Sequence, residues 1–383
     1  MKTVLTITDL HVGAQIEQNR GVFESAVDYG WRVVEIERAR LKCGLRDVIN
    51  RWHSDGCIMD CGSYTGAWKS LHQIFGPMPL VCLDPSEEVS RKAPLVVKID
   101  AGKIVELARQ EFDRCHAVSF GYVGWHTDTG WCRARRESFE RAVQRAYHLP
   151  VHVYSDGWDL GDIFAFNEKL EKFLRDLPKP AAVLVVNDYV AAQVLDVARS
   201  MNLSCPGDLF VCGVDNDEMI CEHTLPTLSS VAIDFAEEGR VAARLLHDFM
   251  TTGETQKIAS ATSHLVRRHS TCHLKTHDAM MLKAMEIISR DACSGITAAD
   301  VLSQLPLSRR MAERRFFAAT GKTILEMIQD IRFEKVCDCL RSDLPIGHIA
   351  TRCGLQSDSF LSRFFKARTG LSLRDWRKRF RAS

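Results

Sequence analysis

Apolar positions along the first 265 residues come in short unbroken runs separated by amphipathic stretches. The runs VLTIT (3–7), RVVEI (32–36), GCIMD (56–60), LVCLD (80–84), AVSFGYV (117–123), VHVYS (151–155), AAVLVVND (181–188), LFVCGVD (209–215) and SSVAID (229–234) are predicted strands. Between most of them the period shifts to that of a helix, as in Lys103–Arg114, where Ile104, Leu107 and Ala108 share a face. Short strands that are apolar throughout, with helices between them, predict a parallel sheet covered on both faces. These strands are too many for one comfortable sheet, so two α/β lobes are expected. Around 263–278 the pattern fails in SHLVRRHSTCHLKTHD, read as a final edge strand and a linker. Beyond it only helical periodicity remains. The expected organisation is a two-lobed body over 1–270, a linker over 271–279 and an all-helical module over 280–383.

Within that module, PIGHIATRC places Ile346, Ile349, Ala350 and Cys353 at i, i+3, i+4 and i+7, a short amphipathic helix. Gly354 follows, where a tight turn needs a positive φ. A second helix is expected from Ser357, a good N-cap, to Gly370, a C-terminal stop. At about 100° per residue, Phe360, Leu361, Phe364 and Arg368 fall on one side, with the aromatics as core anchors. Asp358, Ser359, Ser362, Arg363 and Lys366 fall on the other and remain free. The stretch SRRMAERRFFAATG (308–321) repeats the plan after AADVLSQLPL. Ser308 caps, Ala312, Phe316 and Ala319 face inward, and Arg309, Arg310, Glu313 and Arg314 face outward. Phe317 lands on the exposed side without an evident reason. The uninterrupted helical pattern of 323–342 lies between the two units and is suited to hold them rigidly apart. Helix, short turn, helix with a free basic face, occurring twice, predicts a pair of helix-turn-helix units entering successive major grooves.

Charge sharpens this picture. The net charge is only +1, but residues from 279 onward carry 19 Lys+Arg against 11 Asp+Glu, leaving 31 against 38 for the first 278. A basic tail beside an acidic body points to a polyanion as the tail's partner. The 14 cysteines form no CxxC pair and mostly lie in apolar runs, as expected of reduced, buried thiols. No apolar run reaches the ~18 residues of a membrane span. The start MKTVLTITDL lacks the apolar core of a signal peptide and reads as a first strand, so a cytoplasmic location is expected.

For the body, no GxxxxGK[ST], GxGxxG after a strand, GxSxG or HExxH occurs, and the His residues form no metal-ligand cluster. No cofactor or metal is implied. Polar residues instead end several strands: Asp60 after GCIM, Asn187 and Asp188 after AAVLVV, Asp215 and Asn216 after LFVCGV. Ligands of open α/β sheets bind at that edge. Carboxylates and amides near an aromatic suit a polyhydroxylated ligand, whose hydroxyls need partners and whose apolar face stacks on a ring. Trp158 and Arg135 are candidates to join them. Helix capping is an equal reading for Asn187, Asn216 and Asp60, and a plain surface loop for Trp158.

The C-terminal stretches SRRMAERRFFAATGKTI and IGHIATRCGLQSDSFLSRFFKARTGLSLRDWR resemble the double helix-turn-helix domain of AraC/XylS-type regulators over the whole module. Pro306 stands where that family usually has Gly in the first turn, and Leu373 where it usually has Pro. The body is similar to the periplasmic-binding-protein-like sugar domain of the LacI/GalR family, carried by RARRESF (133–139), GW (157–158), LVVNDYVAA (184–192), VCGVDNDE (211–218), LPTLSSVAID (225–234) and VRRHST (266–271). The usual N-terminal DNA-binding helices of that family do not precede strand one. By motif match the resemblance implies sugar contacts at Arg135, Asn187 and Asp215, stacking on Trp158, and a role for the adjoining Asp188.

Together these imply a sequence-specific regulator of transcription, an activator, under control of xylose or a related pentose. It would bind paired half-sites of double-stranded DNA as a homodimer and engage RNA polymerase. A repressor, a regulator for a different sugar, and an α/β enzyme with a DNA-binding tail are the alternatives.

Overall fold

The computed structural model describes residues 1–8, 13–38, 41–125, 129–154, 163–260, 263–272, 278–341 and 344–381. Two six-stranded sheets form the body. The first contains β1 (Thr3–Thr8), β2 (Arg32–Glu37), β3 (Gly56–Asp60), β4 (Leu80–Leu83), β5 (Leu95–Ile99) and β11 (Gln256–Ser260), in the order β11-β5-β4-β3-β1-β2 and parallel throughout. The second contains β6 (Ser119–Val123), β7 (Val151–Tyr154), β8 (Ala181–Val185), β9 (Leu209–Asp215), β10 (Ser229–Ile233) and β12 (Ser263–Val266), in the order β12-β10-β9-β8-β6-β7. Only β12, the edge strand, runs antiparallel. The chain therefore passes between the sheets after β5, after β10 and after β11, which ties the two lobes by three crossings.

Helices α1 (Gly13–Tyr29), α2 (Leu45–Trp52), α3 (Trp68–Phe75) and α4 (Glu87–Lys92) belong to the first lobe. The second lobe holds α5 (Ala101–Asp113), α6 (Gly130–Tyr147), α7 (Ile163–Asp176), α8 (Asp188–Ser200) and the short α9 (Glu218–Cys221). Helix α10 (Phe235–Thr252) returns to the first lobe and packs closely on α1: a methyl group at Gly239 would lie 1.9 Å from the Gln18 carbonyl oxygen. The sheets are buried on both faces, as the unbroken apolar runs required. β5 and β11 were absent from the expected strands. LVVKI is apolar and β-branched like the others but lies against a Lys and an Asp, and QKIAS is too polar to read as a strand by itself.

The tail is helical throughout: α11 (Ala279–Asp291), α12 (Ala298–Ser303), α13 (Arg309–Thr320), α14 (Ile324–Arg341), α15 (Ile349–Arg352), α16 (Asp358–Thr369) and α17 (Leu373–Arg381). It has two cores. Ile324, Met327 and Ile328 of α14 lie in one with α11, α12 and α13, and Val336, Cys339 and Leu340 lie in the other with α15, α16 and α17. Each helix-turn-helix unit thus has its own apolar centre, and α14 is the strut shared by both. No disulfide links the cysteines.

A short 3-10 turn, His269–Thr271, fastens the end of the body to the second sheet. Ser270 Oγ donates to the Val211 carbonyl at 2.6 Å, and Thr271 Oγ1 to Glu111 at 2.9 Å. His269 is buried, both of its ring nitrogens lack a partner among the described residues, and burial pushes its pKa down to about 4. A histidine held neutral in this way stabilises the fold fully above its ordinary pKa and loses that contribution as pH falls through 6.5 towards 4. The buried carboxylates titrate in the opposite sense, so the difference between variants isolates the effect. Relative to wild type, His269→Leu is expected to gain about 2 kcal/mol of stability between pH 7 and pH 5, measured by denaturant titration at both pH values.

Candidate effector cleft and candidate nucleic-acid interface

The lobes meet along the carboxyl ends of their strands. A methyl group at Gly130, which opens α6, would lie 3.4 Å from Ser86 Cα of the first lobe. One at Gly13, which opens α1, would lie 3.9 Å from Asp217 Oδ2 of the second. Between the lobes lies the candidate cleft. Arg135, buried on α6, donates from Nη1 to the Val186 carbonyl at 2.6 Å. Its Nη2 stands 3.6 Å from Asp215 Oδ1, and its guanidinium lies over the Trp131 ring, 5.0 Å from the centroid. A fixed planar cation is thereby presented with one edge towards the cleft.

Asp215 and Asn216 follow one another at φ +101° and +57°. Left-handed backbone costs a non-glycine residue of the order of 1–3 kcal/mol. Here it persists because Asn216 is tied through both backbone and side chain: its amide donates to Ser230 Oγ at 3.1 Å, and its Oδ1 accepts from Arg268 at 2.8 Å. Burial pushes the Asp215 carboxyl up to about 7, against the pull of Arg135, and its Oδ1 has no hydrogen-bond donor among the described residues. In the first lobe, Asp60 at the end of β3 accepts from Gln15 Nε2 at 2.5 Å and from the Gly62 amide at 2.8 Å.

The other predicted residues divide. Asn187 caps α8, its Oδ1 accepting from the Val190 amide at 3.0 Å. Asp188 is buried behind the strand ends, accepting from Ser230 Oγ at 2.6 Å and from the Asp217 amide at 2.7 Å. It packs so tightly on β9 that a methyl group at Gly213 would lie 2.2 Å from its Oδ1. Asp188 therefore positions the β9–α9 turn and does not line the cleft. Asn216 likewise spends its oxygen on Arg268. Trp158 lies outside the described residues.

Two residues absent from the predicted set belong to the cleft, Asp84 and Trp131, and a buried pair also absent from it, Gln18 and Glu238, joins α1 to α10. Asp84, which follows β4 at φ +43°, feels the charges of Arg135 and Asp60, and burial pushes its carboxyl up to about 6. Glu238 on α10 is wholly buried, and its Oε2 accepts from Gln18 Nε2 at 2.7 Å. Both carried a legible signal. Asp84 ends an apolar strand just as Asp60 does, and Glu238 occupies an inward position of α10 between Phe235 and Ala242, where periodicity calls for an apolar side chain.

Beside the cleft, α9 joins the body to the tail. Asp217 caps α9, accepting from the Met219 and Ile220 amides. Glu218 Oε2 accepts from Arg352 of α15 at 2.7 Å, and Glu222 accepts from Lys335 of α14. Burial alone would raise Glu222, but the hydrogen bond and charge of Lys335 hold it below its ordinary value. The segment 215–222 therefore runs from the cleft to the second helix-turn-helix unit in eight residues.

In the tail, the outer faces of α13 and α16 are free as expected. Arg309, Arg310, Glu313 and Arg314 are exposed, and so are Asp358, Ser359, Ser362, Arg363 and Lys366. Arg309 and Glu313 pair at 2.9 Å on the open surface, an interaction worth little and easily exchanged. Phe317 is 55% exposed on the same helix. Ser357 Oγ caps α16 by accepting from the Phe360 amide at 3.1 Å. Ser308 occupies the same place in α13 without a side-chain cap bond. One expectation about α16 needs correction. Its core anchors are Leu361 and Phe365, while Phe360 and Phe364 are half-buried and stack on each other at 5.9 Å. Arg368 lies over Phe333 and Phe364 and pairs with Asp330 at 2.6 Å. The inward face is turned by about one residue because Phe365 fits against Phe333 and Trp376. The two turns differ. Gly354 sits at φ +65°, and a methyl group there would lie 2.6 Å from the Cys293 carbonyl oxygen of the other unit. The first turn, around Pro306, closes without any left-handed residue.

A periplasmic binding protein-like domain matches residues 113–271, and a helix-turn-helix domain matches residues 302–379. With curated relatives that align over nearly the whole chain, they define the class: a DNA-binding transcription regulator that joins a periplasmic-binding-like body to an AraC-type helix-turn-helix tail. The chain is similar to the xylose operon regulatory protein of Escherichia coli K12, with 27% identity over 367 residues, covering 92% of this chain and 90% of that one. It is similar to the protein of the same name from Haemophilus influenzae, with 26% identity, covering 86% and 87%. In fold it matches the structure of the xylose-binding transcription activator xylR, with a TM-score of 0.66 and 23% identity, covering 98% and 97%. No helix among the described residues is long and apolar enough to cross a membrane.

Proposed function

We propose that the chain is a sugar-responsive activator, with residues 1–270 as sensor, 271–279 as linker and 280–383 as the DNA-binding module. It acts in the cytoplasm as a homodimer on paired half-sites and engages RNA polymerase. The observation that carries this reading is Arg135. It is a buried guanidinium held between Val186 and Trp131, with Asp215 beside it, at the meeting edge of two lobes and one short helix away from a DNA-binding unit. A small polyhydroxylated ligand would fit these groups, with Arg135, Asp215, Asp60 and the Asn187 amide nitrogen as its partners. Xylose and other pentoses are the first candidates, supported by the named relatives. Closure of the lobes on the ligand would move the segment 215–222 and, through Glu218 and Glu222, reorient the second helix-turn-helix unit.

On DNA, Arg309, Arg310, Arg314, Arg363 and Lys366 would supply phosphate and base contacts, with Glu313, Asp358, Ser359 and Ser362 beside them. The test is an electrophoretic mobility assay on the promoter region upstream of the gene, with and without a panel of pentoses, hexoses and uronic acids. Binding that no sugar alters at millimolar concentration would refute the sensor reading. Arg363→Ala is expected to weaken binding to the cognate site about tenfold and to lower the salt slope by about 1, measured by fluorescence anisotropy across salt concentrations.

A further inference from the structure

Helices α13 and α16 keep one register. Ser308 and Ser357 precede them, Phe316 and Phe365 anchor them at 0% exposure, and Gly321 and Gly370 end them at φ +70° and +73°. Aligned in this way, the outer stripe of α16 is Ser359, Ser362, Arg363 and Lys366, and that of α13 is Arg310, Glu313, Arg314 and Phe317. All of these side chains are exposed. Where α16 carries a cation, α13 carries a phenyl ring, 55% open to solvent. At about 100° per residue the ring lies within about 60° of Arg310 and Arg314 and roughly opposite the buried Ala312 and Ala319. The fold has no use for it there, because the neighbouring Phe316 already fills the core of the unit.

We propose that Phe317 is a specificity-determining residue of the first helix-turn-helix unit, its ring packing on the 5-methyl group of a thymine in the major groove. This rests on the reading of α13 as a helix that enters that groove. Helices seated there reach bases from positions spaced i, i+3, i+4 and i+7, the spacing of Arg310, Glu313, Arg314 and Phe317. From Arg310 to Phe317 the helix rises about 10 Å, about three base-pair steps. Thymine presents the apolar group of the major groove, and apolar side chains read it. A phenyl ring offers neither a hydrogen bond nor a charge, so it adds nothing at a phosphate, where a cation such as Lys366 serves. A protein partner is the competing occupant. Arg310 and Arg314 share the stripe with the ring, so a helix that places them in the groove carries Phe317 in with them and closes it to protein.

The test uses the full-length protein and duplexes selected by it from a randomised library, with and without D-xylose. Each thymine of the selected site is then replaced in turn by 2′-deoxyuridine, which removes the methyl group and keeps the base pairing. Dissociation constants are measured by fluorescence anisotropy for wild type, Phe317→Ala, Phe317→Lys and Arg314→Ala. Uridine at one or two neighbouring positions is expected to weaken wild type about fourfold, the value of one buried methyl group. Phe317→Ala should bind thymine and uridine duplexes equally at those positions. Phe317→Lys should be equally blind to the methyl group while steepening the salt dependence by about 1, which separates lost reading from lost binding. Arg314→Ala should weaken binding and keep the methyl preference. If the selected site lacks thymine, if uridine weakens wild type nowhere, or if it weakens the Phe317 variants as it weakens wild type, the proposal is overturned. In that event an effect of Arg314→Ala keeps α13 on the DNA and leaves Phe317 to a protein partner, whereas no effect removes α13 from the groove. If no sequence is selected, the assignment of the DNA-binding face falls and the proposal with it.

Discussion

Arg135→Ala is expected to abolish the effector response, raising the sugar concentration needed for half-maximal change in DNA binding by at least about 100-fold. The size follows from what the guanidinium does. It is the buried cation against which Asp215 is set, and it anchors on the Val186 carbonyl and the Trp131 face. On the proposed reading its removal would delete a charged hydrogen-bond donor to the ligand and leave Asp215 without its neighbouring cation. Arg135→Lys does not rescue, because an ammonium on a flexible stem cannot meet the Val186 oxygen, the aromatic face and the ligand at once. DNA binding without sugar should be unchanged, since α13 and α16 lie in cores of their own. Anisotropy titrations of promoter DNA across sugar concentrations separate the two quantities. A variant that responds at the wild-type concentration would remove Arg135 from the site.

Lys335→Glu is expected to uncouple the two halves of the molecule. Lys335 is largely buried between Glu222 and Glu218, with only 13% of its side chain exposed, and Arg352 closes the same patch on Glu218. Reversing its charge opposes three carboxylates where one cation had met two, so α9 and α14 separate. The sugar-dependent change in DNA affinity should shrink by about tenfold, the size of a typical coupling free energy between sites. Affinity for sugar itself should change only through that lost coupling. The compensating pair Lys335→Glu with Glu222→Lys restores an opposite-charge contact and should recover most of the response. Should the single variant keep a full sugar response, the route through α9 is wrong.

Much of this was legible in the residues. The unbroken apolar runs required strands buried on both faces, and the purely helical periodicity beyond residue 280 agrees with the run of helices from α11 to α17. The free faces of α13 and α16 followed from spacing alone, because a helix wheel needs no knowledge of its neighbours. Arg135 and Asp215 were reached through motif resemblance, and the structure brings them within 3.6 Å.

What periodicity could not decide was which of two adjacent aromatics turned inwards on α16. Phe364 and Phe365 are about 100° apart, and the choice fell to the shape of Phe333 and Trp376, which arrive from other helices. Nor could strand-end position tell ligand contacts from braces. Asp60, Asp188 and Asp215 all end or follow strands, yet Asp188 turns away to hold the β9–α9 corner, a role set by Ser230 and the Asp217 amide across the sheet. Gln18 meets Glu238 across 220 residues of chain, and Lys335 meets Glu222 across 113. The sequence by itself determined most of the elements, the outer faces of α13 and α16 and the opposed charges of body and tail, because these depend on residues a few positions apart. The chain's three crossings between lobes decided the rest, since only folding sets the distances among charges far apart in the chain.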